Sequence, residues 1–269
     1  MILASAHPAG VLLPVATALA YSVPAMMRRL AEPSTQTVLL LALLLHGASI
    51  GWGLLIGTPR FGFAPALSVT AWLVIAVYAV ERRVFPALQG RWMLAALGAV
   101  TVLLALLFPG APLHASASPW LPLHLALGVA SYGLFAAAVV HAGLMTRAEK
   151  QMRRAADSSG GLPLLTLERL TFRFVAAGFV LLSATLLAGL VFGEHLFGAT
   201  GATQGLRWDH KTVFSVLSWL TFAALLIGRS QFGWRGKTAV RVLYAGAGLL
   251  LLAYVGSRFV LEVILGRSS

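Results

Sequence analysis

Seven histidines are the side chains of this 269-residue chain best suited to coordination chemistry: His7, His46, His114, His124, His141, His195 and His210. Neutral imidazole binds haem iron or another transition metal without bringing an added charge, so it is a ligand compatible with a membrane. The sequence has no cysteine. Disulfide staples, thiol redox chemistry and Cys-ligated zinc or iron–sulfur sites are therefore excluded as properties of this chain. It also has no Walker loop, HExxH, GxSxG or paired-carboxylate arrangement.

The elements that must position these imidazoles are set by composition. The chain is 59% hydrophobic and 10% charged, with a mean hydropathy of +0.86, far from the roughly 25% charged residues of a soluble domain. Eight apolar segments run approximately over His7–Met27, Thr37–Gly57, Ala64–Val80, Trp92–Phe108, Pro122–Thr146, Phe174–Phe192, Thr212–Ile227 and Val240–Ser257. Each is near the ~20 residues that cross a bilayer. The sequence thus predicts an all-α polytopic membrane protein, a bundle of about eight transmembrane helices forming one integral membrane domain over residues 1–269. Arg28 and Arg29 follow the first apolar run rather than precede it, so that run reads as a retained span, not a cleaved signal peptide.

Charge orients the spans. Of the twenty Lys and Arg, fifteen fall on one side, including Arg82, Arg83, Arg147, Lys150, Arg169, Arg173, Arg229, Arg235 and Lys237. Five fall on the other: Arg60, Arg207, Lys211, Arg258 and Arg267. The positive-inside rule puts the first set in the cytoplasm and both termini outside. The net charge of +12 is then an address in the membrane, not a footprint for nucleic acid. The longest loop, about Arg147 to Arg173, is cytoplasmic, with Gln151–Gly161 a flexible linker and Thr166–Arg173 a short amphipathic helix. None of the eight acidic residues lies at mid-membrane, which argues against an ion-coupled pump.

With orientation fixed, His7, His114, His124, His195 and His210 lie at or near the outer face, and His46 and His141 lie inside spans. Interfacial histidines also serve as plain amphipathic anchors. His124 and His210 form the better pair, since each begins a span that runs from outside to inside. Trp120, Trp208 and Phe197 offer aromatic surface for a flat macrocycle, and Arg207, Lys211 and Arg258 offer partners for its propionates. His46 sits mid-span, where an ionisable side chain is rare and faces the bundle interior. It reads either as an intramembrane ligand or as a hydrogen-bond partner of a neighbouring helix. Asp209 and Thr212 suit a helix N-cap.

Three stretches carry a family resemblance: Trp208-Asp209-His210-Lys211-Thr212, Gly233-Trp234-Arg235-Gly236 and Ala253-Tyr254-Val255-Gly256-Ser257-Arg258-Phe259-Val260. With His124-Leu125 and Ala130-Ser131-Tyr132, their order and spacing resemble the cytochrome c assembly superfamily. Within it they look most like the YpjD and HemX-like branch. The resemblance implies haem handling at the outer face of a bacterial plasma membrane, as in CcsA- and CcmC-like proteins. His124 and His210 match the outer histidine pair, and His46 looks like an intramembrane one. The resemblance implies haem b as cofactor and haem, with apocytochrome c or other maturation components, as partners.

The Trp-rich external loop of that superfamily is reduced here to Trp208-Asp209, which points away from synthetase activity and toward haem binding, transport or an accessory role. The site expected is His124, His210 and His46 as iron ligands, with Trp208, Asp209 and Arg258 around the macrocycle. The rival reading is a cofactor-free scaffold whose Gly47, Gly51, Gly246, Gly248 and Gly256 pack helices or a partner. A small-solute transporter is a third.

Overall fold

The structure, a computed structural model, describes residues 8–26, 32–56, 59–86, 88, 90–112, 120–153, 163–197 and 210–264, with the side chains of 32–34, 192–197, 261 and 262 excepted. A backbone crossing lipid must satisfy its own hydrogen bonds, and the helix does so within one segment. Among the described residues eight α-helices of 16 residues or more form where the apolar runs predict them: α1 (Pro8–Met26), α2 (Glu32–Leu55), α3 (Phe63–Val84), α4 (Arg91–Leu107), α5 (Leu121–Arg153), α6 (Leu164–Phe197), α7 (His210–Phe232) and α8 (Gly236–Leu251). Seven are long and apolar enough to cross a membrane, α8 by counting on to Phe259, and α4 is a shorter apolar helix. The chain is an all-α polytopic membrane protein.

The long loop between the fifth and sixth spans differs from expectation. Thr166–Arg173 is not a separate amphipathic helix; it is part of α6, a continuous helix of 34 residues. Gln151–Arg153 is the last stretch of α5, itself 33 residues long. At 1.5 Å per residue these helices span about 50 Å against a ~30 Å hydrocarbon core. Their hydrogen-bond ladders continue into the charged ends, where hydropathy gives no signal.

The chain forms two compact units, Met1–Leu113 with Leu261–Ser269, and His114–Val260. In the first, α1 packs on α2 and α4, and α3 on α4. A two-residue antiparallel ladder, β1 (Arg60–Phe61) with β2 (Ala111–Pro112), ties the α2–α3 connection to the chain after α4. Gly110 makes it possible. It has φ +77, and a Cβ there would stand 2.6 Å from the Phe61 carbonyl.

In the second unit, α5 and α6 pack as an antiparallel pair. Phe135 lies against Gly178, Gly128 against Thr185 and His124 against Gly189, so numbers rise on one helix as they fall on the other. α7 runs against α6 in the same way, with Trp219 Nε1 donating to Ser183 Oγ at 2.8 Å and Arg229 paired with Glu168 at 3.3 Å. It follows that α5 and α7 are parallel. The Phe135 and Phe222 rings stack at 3.7 Å with 5° between planes, and both are fully buried. On α8, Gly246 admits Phe222, where a Cβ would meet the ring at 2.8 Å; its carbonyl accepts from Ser218 Oγ at 2.8 Å.

After α8 the chain makes a π-helical turn, Leu252–Gly256, closed by the Ser257 N–H on the Leu252 carbonyl, and then the helical Ser257–Phe259. Just before the turn, the Tyr132 hydroxyl of α5 donates to the Leu250 carbonyl. A side chain that takes a carbonyl from the ladder is a recognised cause of such a turn.

The Gly233-Trp234-Arg235-Gly236 corner joins α7 to α8. Gly233 and Gly236 take φ +63 and +55, and the Trp234 N–H returns to the Gly228 carbonyl at 3.0 Å. The Trp234 ring fills the place of the absent side chain of Gly228, where a Cβ would clash with the indole. Overpacking of that kind costs about 1–3 kcal/mol. Gly228→Ala should therefore lower the thermal midpoint measured in detergent, and Gly248→Ala, with nothing within 4 Å, should not.

Candidate functional site

His124 lies in the first turn of α5, half-buried, on the stripe that continues through Gly128, Ser131 and Phe135. Its backbone N–H donates to the Trp120 carbonyl at 3.0 Å, which makes exposed Trp120 the entrance to the helix. The ring packs on α6 where Gly189 leaves room, its Cε1 3.5 Å from the place a Cβ would take. An alanine at 189 would meet the imidazole at ordinary van der Waals distance.

His210 is the first residue of α7 and is exposed. Its height follows from the aromatic stack. His124 stands 11 residues before Phe135, and His210 stands 12 residues before Phe222, on helices that run the same way. At 1.5 Å per residue the two histidines differ in height by about 1.5 Å. Arg258 reaches the same level by another route. α8 runs antiparallel to α5, since Tyr132 meets Leu250 and Gly143 faces Tyr244. Arg258 follows Leu250 by the 8 residues that separate His124 from Tyr132. Two imidazoles and one guanidinium from three helices thus share one end of the second unit.

The remaining expected residues fall elsewhere. Trp208, Asp209, Arg207, His7 and His114 lie outside the described residues, as do the side chains of His195 and Phe197. Lys211 is half-buried beside His210. His141 is buried in α5; its Nδ1–H donates to the Ala137 carbonyl at 2.8 Å, and its ring tilts against Phe174. That bond fixes one tautomer within a single helix and brings in no other histidine. His46, expected as an intramembrane ligand or as a hydrogen-bond partner, is 1% exposed in the first unit. Its Nδ1 lies 3.2 Å from Tyr21 Oη and its Nε2 lies 2.8 Å from Ser68 Oγ. Both ring nitrogens are engaged by neighbouring helices. Among the described residues no group of three or more His, Cys, Asp or Glu is placed to hold a metal ion.

Sequence reasoning missed a second polar cluster. Glu168, whose side chain is 15% exposed, takes Arg229 at 3.3 Å and Arg235 at 3.7 Å on the same oxygen. The Arg229 guanidinium also lies 3.5 Å over the Phe172 ring. Glu168 was legible only as one acid in a basic stretch, because its partners are about sixty residues away. It anchors the α7–α8 corner on α6 and does not join the histidine end.

The donor set at that end suits a flat, anionic macrocycle: two imidazoles at matched height, aromatic surface at Trp120 and a cation at Arg258. Fold and site together define a multi-pass helical membrane protein with two imidazoles and a guanidinium gathered at one end of its second unit. The family model described as cytochrome C assembly protein matches residues 35–265, and the chain belongs to that family. It is 33% identical over 153 residues to "Inner membrane protein YpjD" of Escherichia coli, covering 56% of each chain. It is 36% identical over 150 residues to an uncharacterized 28.8 kDa protein of Azospirillum brasilense, covering 55% of this chain and 54% of that one. To "Cytochrome c biogenesis protein CcsA" of Prochlorococcus marinus it is 32% identical over 93 residues, 35% of this chain and 28% of the other. The chain spans about half the length of the first two relatives. No solved structure matches it.

Proposed function

We propose that this chain is a haem-binding protein of the bacterial inner membrane that supports cytochrome c maturation or haem trafficking. His124 and His210 are its axial ligands at the outer face, and both termini lie on that side. The observation that carries the reading is the common height of His124, His210 and Arg258 on three helices of one unit. Membership of the cytochrome c assembly family supports it, as do relatives named for the inner membrane and for cytochrome c biogenesis.

In this reading α5 and α7 hold the two imidazoles in register, and the Phe135–Phe222 stack sets their heights. Gly189 leaves space beside His124, Trp120 gives aromatic surface, and Trp208 and Asp209 complete the cofactor-binding set expected from the sequence. Arg258 pairs with a propionate. Haem b bound by two imidazoles is coordinatively saturated, which suits carriage or electron transfer more than oxygen chemistry.

The test is a reduced-minus-oxidised absorption spectrum of protein purified from haem-replete membranes. A low-spin spectrum is expected, with haem near stoichiometric; no haem after hemin titration would overturn the proposal. Arg258→Gln should weaken hemin binding about tenfold, the worth of one charge-assisted hydrogen bond, and is read by the same titration.

A further inference from the structure

Four helices of the first unit converge on a single imidazole. His46 of α2 has Tyr21 of α1 at Nδ1 and Ser68 of α3 at Nε2, at 3.2 and 2.8 Å. The Tyr21 and His46 rings meet edge to face, with 5.6 Å between centroids and 84° between planes. All three side chains are buried. Helix α4 contributes by what it lacks: a Cβ on Gly98 would stand 2.9 Å from the Tyr21 ring and from Ile75. Glycine there lets the tyrosine reach the imidazole. Three residues before His46, the Leu43 carbonyl accepts from Trp72 Nε1 of α3 at 3.0 Å, and the same indole lies over Gly47, 3.2 Å from the place a Cβ would take. Two polar links, a few residues apart, therefore join α2 to α3.

We infer that Tyr21, His46 and Ser68 form a structural lock in which the imidazole carries its proton on Nε2, and that His46 is not an iron ligand. The phenol is the stronger acid of the two hydroxyls and donates to Nδ1. That leaves Nε2–H to donate to Ser68 Oγ. A ring nitrogen that carries a proton has no lone pair for a metal, and the other nitrogen is spent on Tyr21. Ligation through Nε2 would require the opposite tautomer and the loss of the Ser68 bond, and ligation through Nδ1 would require the loss of the Tyr21 bond. Inside a membrane, where packing cannot draw on the hydrophobic effect, interhelical hydrogen bonds fix which helices meet and at what height. His46 links α1 to α3 through α2, a task a single hydroxyl in its place would not span. The inference does not depend on haem binding at the outer end of the second unit.

The full-length protein in mild detergent tests it through thermal unfolding, haem content and ring nitrogen NMR. Tyr21→Phe, Ser68→Ala and His46→Ala should each lower Tm by roughly 2–4 °C, with the Tyr21→Phe and His46→Ala effects less than additive. Gly98→Ala should act like Tyr21→Phe. His46→Gln, which keeps one acceptor and one donor, should recover most of the loss. Haem content and Soret position should match the parent in all of them, and the His46 ring should show a protonated Nε2. A His46→Ala protein with unchanged Tm, a shifted Soret band or lost haem would overturn the inference, as would an Nδ1–H tautomer. Tyr21→Phe and Ser68→Ala remove only a hydroxyl each and stay informative if His46→Ala fails to fold. A protein that binds no haem at all would defeat the functional proposal while the Tm couplings and the tautomer still decide this one.

Discussion

Replacing His124 and His210 together by alanine is expected to give a protein that inserts, folds and purifies without haem. The folding half of this expectation rests on where the side chains are. His210 is exposed at the first residue of α7, and His124 is half-buried in the first turn of α5, so neither belongs to the core around Phe135, Phe222, Leu225 and Leu243. The loss of haem follows from the proposed ligation, since the two substitutions together remove both proposed axial ligands. Even removal of an outer-shell partner costs about 10–100-fold in metal affinity, and loss of a ligand should cost more. Haem content per chain and the Soret band read the outcome. Parent-like haem in the double variant would sink the assignment.

Phe135→Ala should abolish haem binding without touching a ligand, and should be the most destabilising single change in the second unit. The ring is 1% exposed, stacked on Phe222 at 3.7 Å and set against Gly178, 3.2 Å from the place a Cβ would take. Truncating a buried phenylalanine costs about 3–5 kcal/mol, and a stacked aromatic pair adds roughly 0.5–1.5 kcal/mol. The stack also joins α5 to α7 and thereby fixes the heights of His124 and His210. Phe135→Leu keeps much of the volume and should recover stability. It should recover haem binding only in so far as the helices keep their register. Thermal midpoint and hemin affinity, measured on both variants, separate the two effects.

Much of this was legible in the sequence because hydropathy reports directly on what lipid demands. The eight apolar runs became eight helices, and the starts of the segments at Trp92, Pro122 and Thr212 lie within two residues of α4, α5 and α7. Hydropathy did not see where helices stop. Leu164–Arg173 and Arg147–Arg153 are helical and charged, and a charged helix end looks like a loop to any scale that measures only water-to-lipid transfer. The pairing of His124 with His210 came from their position at the starts of two spans that the charge pattern predicts to run inward. Their common height needed Phe135 and Phe222, which in the sequence are two phenylalanines among fourteen. His46 shows the opposite limit. Its rarity at mid-span was plain, but Tyr21 and Ser68 lie 25 and 22 residues away, and only the fold reveals that its nitrogens are spoken for. Glu168 was hidden for the same reason.

The π turn at Leu252–Gly256 has a consequence for the angular phase of the chain beyond it. An α-helix advances about 100° per residue, so one residue absorbed in a wider turn rotates everything that follows by that amount. A helical wheel drawn through the last span therefore places Arg258 about 100° from its actual direction. Deleting one residue within the turn would restore α-helical winding, free the Leu250 carbonyl from Tyr132 and swing Arg258 by about 100°, at almost unchanged hydropathy. The direction of that guanidinium is thus set eight residues upstream, by a tyrosine hydroxyl on another helix, and a single-codon insertion or deletion there would re-aim it more than most substitutions at Arg258 itself.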